Sequence, residues 1–433
     1  MNHSQEYFKT GIDWIPEIPD DWEIIRAKYL FSNKSTKNNQ NQPLLSVTQT
    51  DGVVIREDSE LRVWNPSDDV SMYKLIEPND FVISLRSFEG GIELSNVEGI
   101  VSPAYTVLQP STELYHLFFK QLLKSHQFII ELNRNVTGIR QGKTISWDDF
   151  SDICLPFPPL RVQQQIANYL DEKTTQIDSL IEKIERKIEL LKEQRTALIN
   201  QAVTKGLDPN VEMKDSGVEW IGMIPEKWFV GKLRWFINSI KDGTHGSHLS
   251  VDEGHLLLSG KNVHDGFLKI KDNERRISNA SHLEITKNGF PKRGDVLVSC
   301  VGSIGRSCVY ELDEKISFQR SVCFIRPSER IDSYFLSYLI RSKFCQEQLI
   351  TLTNQSTIGG VYMSDILDLV ITIPSIQEQT AIANYLDEKT TQIDSIIEKE
   401  TKRIELLKKY RQSLISNVVT GKVRVVEDQI YSG

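Results

Sequence analysis

Two triplets, Asp171–Lys173 and Asp387–Lys389, carry the letters of a nuclease metal site, in which carboxylates hold a divalent cation and a lysine assists. Such a site needs a further acidic residue brought in from a strand upstream. Neither triplet has one, and both sit early in long helical patterns. His245 and His248, in "GTHGSH", are potential metal ligands, but no cysteine or acidic cluster stands near them to complete a set. "GSIG" at Gly302–Gly305 lacks the rest of a dinucleotide fingerprint and reads as a tight turn. There is no GxxxxGK(S/T) phosphate loop, no Asp/Asn-Pro-Pro-aromatic motif of an amino-methyltransferase and no HExxH. Cys154, Cys300, Cys308, Cys323 and Cys345 form no CxxC pair and read as small buried thiols in a reducing cytoplasm. The expectation is a chain with no catalytic residue and no metal site.

Were duplex DNA a partner, side-chain chemistry would select the contacts. Arg and Lys suit guanine edges and phosphates, Asn and Gln suit adenine, and Thr or Ser suits either. In the segment before the first long helix, the polar loop candidates for DNA contact are Thr48, Gln49, Arg86, Arg140, Gln141 and Lys143, the last three in "GIRQGK". In the corresponding later segment they are Lys241, Thr244, His245, Lys261, Asn262, Arg306 and Arg320. The net charge of −8 argues mildly against a polyanionic partner. Lys plus Arg number 13 against 17 Asp plus Glu over Glu23–Leu160, and 18 against 16 over Phe229–Ile376. Neither segment is a basic domain, so any nucleic-acid contact is local or shared with a more basic partner.

The elements that must position these residues come in duplicate. "IANYLDEKTTQIDS" occurs at Ile166–Ser179 and, letter for letter, at Ile382–Ser395. A lead-in motif is also repeated, "GIDWIPEIPDDW" at Gly11–Trp22 and "GVEWIGMIPEKW" at Gly217–Trp228. The period is far too long for a solenoid, and the 433 residues form a tandem duplication of lead-in, insert and long helix. The inserts share layout, not letters. Each has a turn and apolar run ("PNDFVISLRS", "RGDVLVSCVG"), a strand ending in proline ("AYTVLQP", "SVCFIRP"), a helical segment (Tyr115–Leu132, Asp332–Leu352) and a closing strand ("DICLPFPP", "DLVITIPS"). Val/Ile/Phe-rich strands bounded by Gly and Pro, with a few helices, predict a mixed α/β (α+β) unit. The difference in insert length falls mostly in the first half, so the framework is fixed and its payload varies.

From Arg161 the pattern is a heptad helix. Leu170, Ile177, Ile184, Leu191 and Leu198 occupy one seam position, with Ala167, Thr174, Ile181, Ile188 and Arg195 three earlier in each heptad. The second copy has Leu386, Ile393, Glu400, Leu407 and Leu414, with Ala383, Thr390, Ile397, Ile404 and Arg411. Glu400 interrupts this stripe; the expectation is an exposed position on a slightly rotated face, with a register-setting role as the alternative. Forty-odd residues make a rod of about 60 Å. Each rod must bury its stripe, and its duplicate is the natural partner. Antiparallel packing would set the inserts apart as two heads related by a pseudo-two-fold axis. Heads that address one face of duplex DNA need sites roughly 34–36 Å apart, which such a spacer could hold.

Over essentially its whole length the chain resembles the specificity (S) subunit of Type I restriction–modification systems. The resemblance rests on the tryptophan-bounded lead-in motifs (Trp14–Trp22, Trp220–Trp228), the duplicated helix start P-x-x-x-Q-x-x-I-A-x-Y-L-D (Pro159–Asp171) and the "KDGTH…GKNV…GDVLVS" run at Lys241–Ser299. Copy two departs from the pattern at Gly222 and Ser375, where copy one has Pro16 and Pro159. The resemblance implies two target recognition domains, each reading half of an asymmetric, interrupted duplex DNA site. Two long antiparallel helices would act as ruler and as docking site for two methyltransferase (M) subunits. On this reading 1–22 is a lead-in packing near the C-terminal helix, 23–160 the first recognition domain and 161–216 the central helix and linker. Residues 217–376 then hold the second lead-in and recognition domain, and 377–433 the C-terminal helix and tail. S-adenosylmethionine would belong to the methyltransferase partner, which flips adenines to methylate them. ATP and Mg would belong to any restriction (R) subunits, of which two could join. This chain would bind no cofactor and perform no chemistry, and it would be cytoplasmic with no membrane partner. A second reading stays open: a coiled-coil adaptor that assembles two identical partners and touches no DNA.

Overall fold

The turns at Asn79–Asp80 and Gly294–Asp295 show how the sequence sets the sheets. Asn79 and Gly294 both adopt the left-handed backbone, φ +74° and +89°, which Asn and Gly tolerate best. The next residue, a buried aspartate in each case, accepts a backbone N–H from three residues back, Glu77 at 2.9 Å and Lys292 at 2.8 Å. The chain then enters the apolar strands Phe81–Ile83 and Val296–Ser299. Each aspartate is neutralised from another strand: Asp80 by Lys34 at 2.7 Å, Asp295 by a two-pronged Arg326 at 2.9 and 2.8 Å. Lys34 and Asp80 are both nearly buried; against the opposing effect of burial, Asp80 and Glu77 hold the Lys34 ammonium above its usual range.

The computed structural model describes residues 6–49, 51–58, 69–134, 145–287, 289–354 and 359–425. Two units result, Met1–Ile184 with Lys402–Gly433, and Glu185–Thr401. Each contains a four-stranded antiparallel sheet of the same order. In the first it is Phe31–Lys34, Thr106–Pro110, Phe81–Ile83, Glu93–Leu94; in the second, Ile237–Asp242, Val322–Pro327, Val296–Ser299, Ser307–Val309. Each also pairs its closing strand with the strand after the lead-in tryptophan, Cys154–Phe157 with Glu23–Arg26 and Val370–Ile373 with Phe229–Lys232. The first core centres on Phe31, which meets Phe81, Phe119 and Phe150 edge-on at 5.6–5.7 Å. In the second, Phe335, Leu339 and Ile325 are fully buried.

The helical segment after each sheet is broken in two, His116–Leu123 and His126–Arg134 in one unit, Ser333–Arg341 and Lys343–Asn354 in the other. The reason is a buried serine at the same place in both, Ser125 and Ser342. A serine hydroxyl competes for backbone groups and favours a cap over a helix interior. Ser125 Oγ accepts from Phe128 N, and Ser342 Oγ donates to Leu339 O.

The heptad segments form continuous helices, Leu160–Lys205 and Ile376–Val419. Within the first unit Arg411 pairs with Asp178 at 2.9 Å; within the second Arg195 pairs with Asp394 at 2.9 Å. These are the same two repeat positions with their partners exchanged, the signature of antiparallel packing in each unit. Such half-exposed pairs set register more than stability, at about 0.2–1 kcal/mol each. The stripe supplies the stability: Leu170, Ile177, Ile184, Leu386, Ile393 and Leu414 are buried, and Leu191, Leu198 and Leu407 partly so. Each fully buried seam residue contributes about 1.5–3 kcal/mol. Glu400 departs from the expected exposed position. Its side chain is only 12% exposed, and Lys187 donates to it at 2.6 Å, which offsets its desolvation.

At each helix start a fully buried glutamine makes the same clamp. Gln163 donates to Pro158 O and accepts from Tyr115 N, at 2.8 and 2.9 Å. Gln379 donates to Pro374 O and Arg330 O and accepts from Asp332 N, at 3.0, 3.0 and 2.8 Å. The helix ends are held as well. In the second unit Thr372 Oγ1 of the closing strand donates to Val203 O; in the first, Tyr7 of the lead-in donates to Gly421 O, and Arg424 meets Asp20 and Asp21.

Candidate nucleic-acid interface

In the second unit, four segments gather at one end of the four-stranded sheet: the residues after Asp242, the Cys300–Arg306 connection, Gln319–Ser321 and Gly359–Ser364. Backbone bonds tie them together. Gly243 N reaches Val322 O at 3.1 Å, Thr244 N reaches Phe318 O at 2.8 Å, and Arg320 N reaches Thr244 O at 3.0 Å. Cys300 N bonds Ser321 O at 2.8 Å, and Val361 N bonds Cys300 O at 2.9 Å. The glycine at 243 is obligatory, since a Cβ there would lie 2.2 Å from Phe318 O. A stiff, closely tied rim of this kind holds polar side chains in fixed positions, as direct readout of base edges requires.

This rim brings together Lys241, Thr244, His245 and Arg320 of the expected set. Thr244 Oγ1 lies 3.0 Å from His248 Nε2, and His245 Nε2 lies 2.6 Å from Asp242 Oδ2. Asp242, His245, Val301, Arg320, Tyr362 and Ser364 are among the residues lining a cavity of about 470 Å3, with Arg320 and Tyr362 exposed. Exposed Lys241 borders a neighbouring cavity of about 380 Å3 with Phe290 and Phe318. The rim therefore offers cationic donors, a carboxylate acceptor and an aromatic face. Asp242 and Tyr362 were not foreseen. Tyr362 follows the pair Gly359–Gly360, a turn signal that would have flagged it.

The other second-unit candidates fare differently. Asn262 is 2% exposed, its Oδ1 accepting from Ser259 N at 2.9 Å and its Nδ2 donating to Lys269 O at 3.0 Å. It is a structural cap, not a base reader, and the expectation is corrected. Lys261 is exposed along its stem, but its ammonium sits 2.8 Å from the buried Glu274 carboxylate, which it holds below the usual carboxylate range. Arg306 is half-buried beside His264, whose imidazole is shifted down by burial first and then by Arg306 and Lys269.

In the first unit Thr48, Gln49 and Arg86 come together. Thr48 Oγ1 accepts from Asp51 N at 2.8 Å, turning the hairpin between Leu45–Thr48 and Gly52–Ile55. Gln49 Nε2 donates to Glu89 at 3.0 Å and to Arg86 O at 3.3 Å, and Arg86 points outward just before the short helix Ser87–Gly90. Arg140, Gln141 and Lys143 lie outside the described residues.

The Asp387 of the second acidic triplet has a structural duty: Tyr338 donates its hydroxyl to it. Burial first, and then this bond, push the Tyr338 phenol up to about 12. Among the described residues no cluster of three His, Cys, Asp or Glu side chains could hold a metal ion, and no helix is long and apolar enough to cross a membrane.

A family model for the Type I restriction modification DNA specificity domain matches residues 19–190 and 260–406. The chain belongs to this family. It is 27% identical over 428 residues to the Type I restriction enzyme MjaVIII specificity subunit of Methanocaldococcus jannaschii, covering 94% of each chain. Two solved structures share its fold at 15% identity. One, from work on complex assembly and conformational transition of the type I R-M system, has a TM-score of 0.70 and covers 94% of this chain and 99% of that one. The other, the HsdS subunit from Thermoanaerobacter tengcongensis, has a TM-score of 0.54, with coverage of 94% and 98%. As a specificity subunit, the chain confers DNA sequence recognition on a restriction–modification enzyme and is not its catalytic component.

Proposed function

We propose that each unit reads one half of a bipartite, asymmetric duplex DNA site through the loop rim at the end of its four-stranded sheet. The rims are Thr48, Gln49 and Arg86 in the first unit and Lys241, Thr244, His245 and Arg320 in the second. One observation carries the reading. Sheet order, buried aspartate, glutamine clamp and helix register are the same in both units, whereas the rims differ in sequence, length and hydrogen bonding. A constant frame that presents different polar surfaces suits two recognition events of one kind on two different sequences. The repeated letters of the long helices support docking of a like methyltransferase subunit on each, with the helices as spacer between half-sites. S-adenosylmethionine is then supplied by those partners, and ATP and Mg by restriction subunits where these join.

The test is an exchange of the first insert, 23–157, for that of a related subunit, followed by mapping of methylated adenines. The letters of one half-site change, while those of the other half-site and the spacer stay. Changes in both halves would contradict independent readers. Failure of the assembled complex to bind any duplex would favour the adaptor reading.

A further inference from the structure

The first unit holds a group of cations that its sheet, its rim and its ion pairs do not use. Arg56 ends the Leu45–Ile55 hairpin, its backbone N–H on Leu44 O at 2.9 Å. Leu44 bridges Ile100 in parallel, and the strand Gly99–Val101 pairs with Lys74–Ile76, placing Lys74 opposite Val101. Lys74 Nζ donates to Tyr105 O. Leu75 N bonds Thr36 O at 2.8 Å and Asn38 N bonds Ser71 O at 3.1 Å, which brings Lys37 alongside Lys74. Arg56 also acts electrostatically on the half-buried Tyr105 phenol. Arg56 and Lys74 thus meet at one tyrosine, with Lys37 beside Lys74, from three separate segments.

Lys37 is exposed and Lys74 half-buried, and it is the Arg56 head that is unusual. Arg56 Nε and Nη1 are both buried and have no hydrogen-bond partner. Among the described residues no carboxylate pairs with Arg56, Lys37 or Lys74. Burial first, and then the Lys37 charge, hold the Lys74 ammonium below the usual lysine range. Elsewhere buried cations of this chain are answered by acids, as Lys34 is by Asp80. Two unanswered guanidinium nitrogens are costly to bury, and an anion that arrives with its own oxygens removes that cost.

We propose that Arg56, Lys74 and Lys37 form an anion site that takes a phosphodiester of the DNA backbone beside the first half-site; this rests on the DNA-reading function above. The two-donor edge of a guanidinium fits a phosphate oxygen pair, and the lysines add point charge. Position selects DNA over a free anion. The site lies at the base of the hairpin whose tip carries Thr48 and Gln49, with Leu45 opposite Ile55 at one end and Thr48 opposite Gly52 at the other. Three residues of strand span about 10 Å. That is comparable to the roughly 12 Å width of a major groove, whose edges are phosphates and whose floor is base edges. A tip that reads bases therefore sets the base of the hairpin against the backbone. Among the described residues the second unit has no counterpart: in place of this hairpin its insert carries the strands His255–Leu258, Arg276–Ile277 and Ser317–Phe318.

The experiment uses the chain assembled with its methyltransferase partner and a duplex containing the methylated site, titrated across salt concentrations. Arg56→Gln is expected to weaken binding about tenfold and to make the slope of log affinity on log salt shallower by about one, with half-site letters unchanged. Lys74→Gln and Lys37→Gln act in the same direction and decide the matter should Arg56→Gln fail to fold, as judged by its melting curve. Wild-type affinity and slope in the folded variants overturn the proposal, and so does a change of letters in the first half-site, which would make Arg56 a base reader. Inorganic phosphate alone is the control: if it raises the melting temperature of wild type but not of Arg56→Gln while duplex binding is equal in both, the site is for a free anion and the DNA assignment is overturned. Absence of duplex binding by the wild-type complex would instead sink the DNA-reading function itself.

Discussion

The two units answer the same structural problem with different residues in one place and with different architecture in another. At the buried turn, Asp80 is matched by Lys34 and Asp295 by Arg326, so the charge pair is kept while the cation changes. Between the first strand of the sheet and that turn, the described elements are not shared. A hairpin and a two-stranded sheet fill that place in the first unit; a three-stranded sheet and the helix Asn279–Lys287 fill it in the second. The contrast separates what a unit needs in order to fold from what it needs in order to differ. Groups that satisfy buried backbone or cancel buried charge recur, because losing one costs several kcal/mol in either context.

The largest test of that separation is removal of the shared aspartate. Asp80→Ala leaves Lys34, whose side chain is 9% exposed, stranded beside Glu77 alone, and strips Glu77 N of its acceptor. A loss of about 3–5 kcal/mol is expected. Asp295→Ala should cost less, about 2–3 kcal/mol, because Arg326 is 37% exposed and can turn to water. Denaturant unfolding followed in each unit measures the difference, and equal losses would show that burial of the cation is not what matters. The glutamine clamp comes next. Gln163→Ala and Gln379→Ala each abandon buried backbone groups at a helix start, and about 2–3 kcal/mol is expected from either. Similar losses support a common frame; a loss in one copy alone would show that the clamp has been replaced in the other.

Legibility followed the same division. The seam, the long helices and the strands were readable because their signals are local: a heptad stripe, a turn residue, a run of Val and Ile. The mixed α/β class follows from those strands. The rim we propose as the reader lies in loops whose polar letters were visible. Arg320, His245 and Gln49 stand in polar loops, and loops at a strand end are where a sheet exposes side chains. Asn262 misled because its amide looks the same in sequence whether it faces a base or caps Ser259; only burial distinguishes the two. The Arg56, Lys37 and Lys74 cluster was invisible for another reason. Its members come from separate segments that meet only through the pairing of Leu75 with Thr36 and of Lys74 with Val101. Glu400 was misplaced because the partner that makes its burial tolerable, Lys187, lies on the other long helix.

Glu400 also offers the smallest and sharpest comparison of the copies, since the equivalent residue is Ile184, 4% exposed. Glu400→Ile would make the two stripes alike. The change gives up a charge-assisted bond and gains a seam residue worth about 1.5–3 kcal/mol when fully buried. What decides the sign is the group left behind. Lys187 is 54% exposed and returns to water when its partner goes, unlike Lys34 after loss of Asp80. The expected result is therefore a net stabilisation of about 1 kcal/mol, read as a higher denaturation midpoint of the second unit with an unchanged slope. Destabilisation, or a loss of the Arg195–Asp394 pairing in a structure of the variant, would mean that the carboxylate sets the register of the seam. The break in the stripe would then be a specificity device and not a tolerated exception.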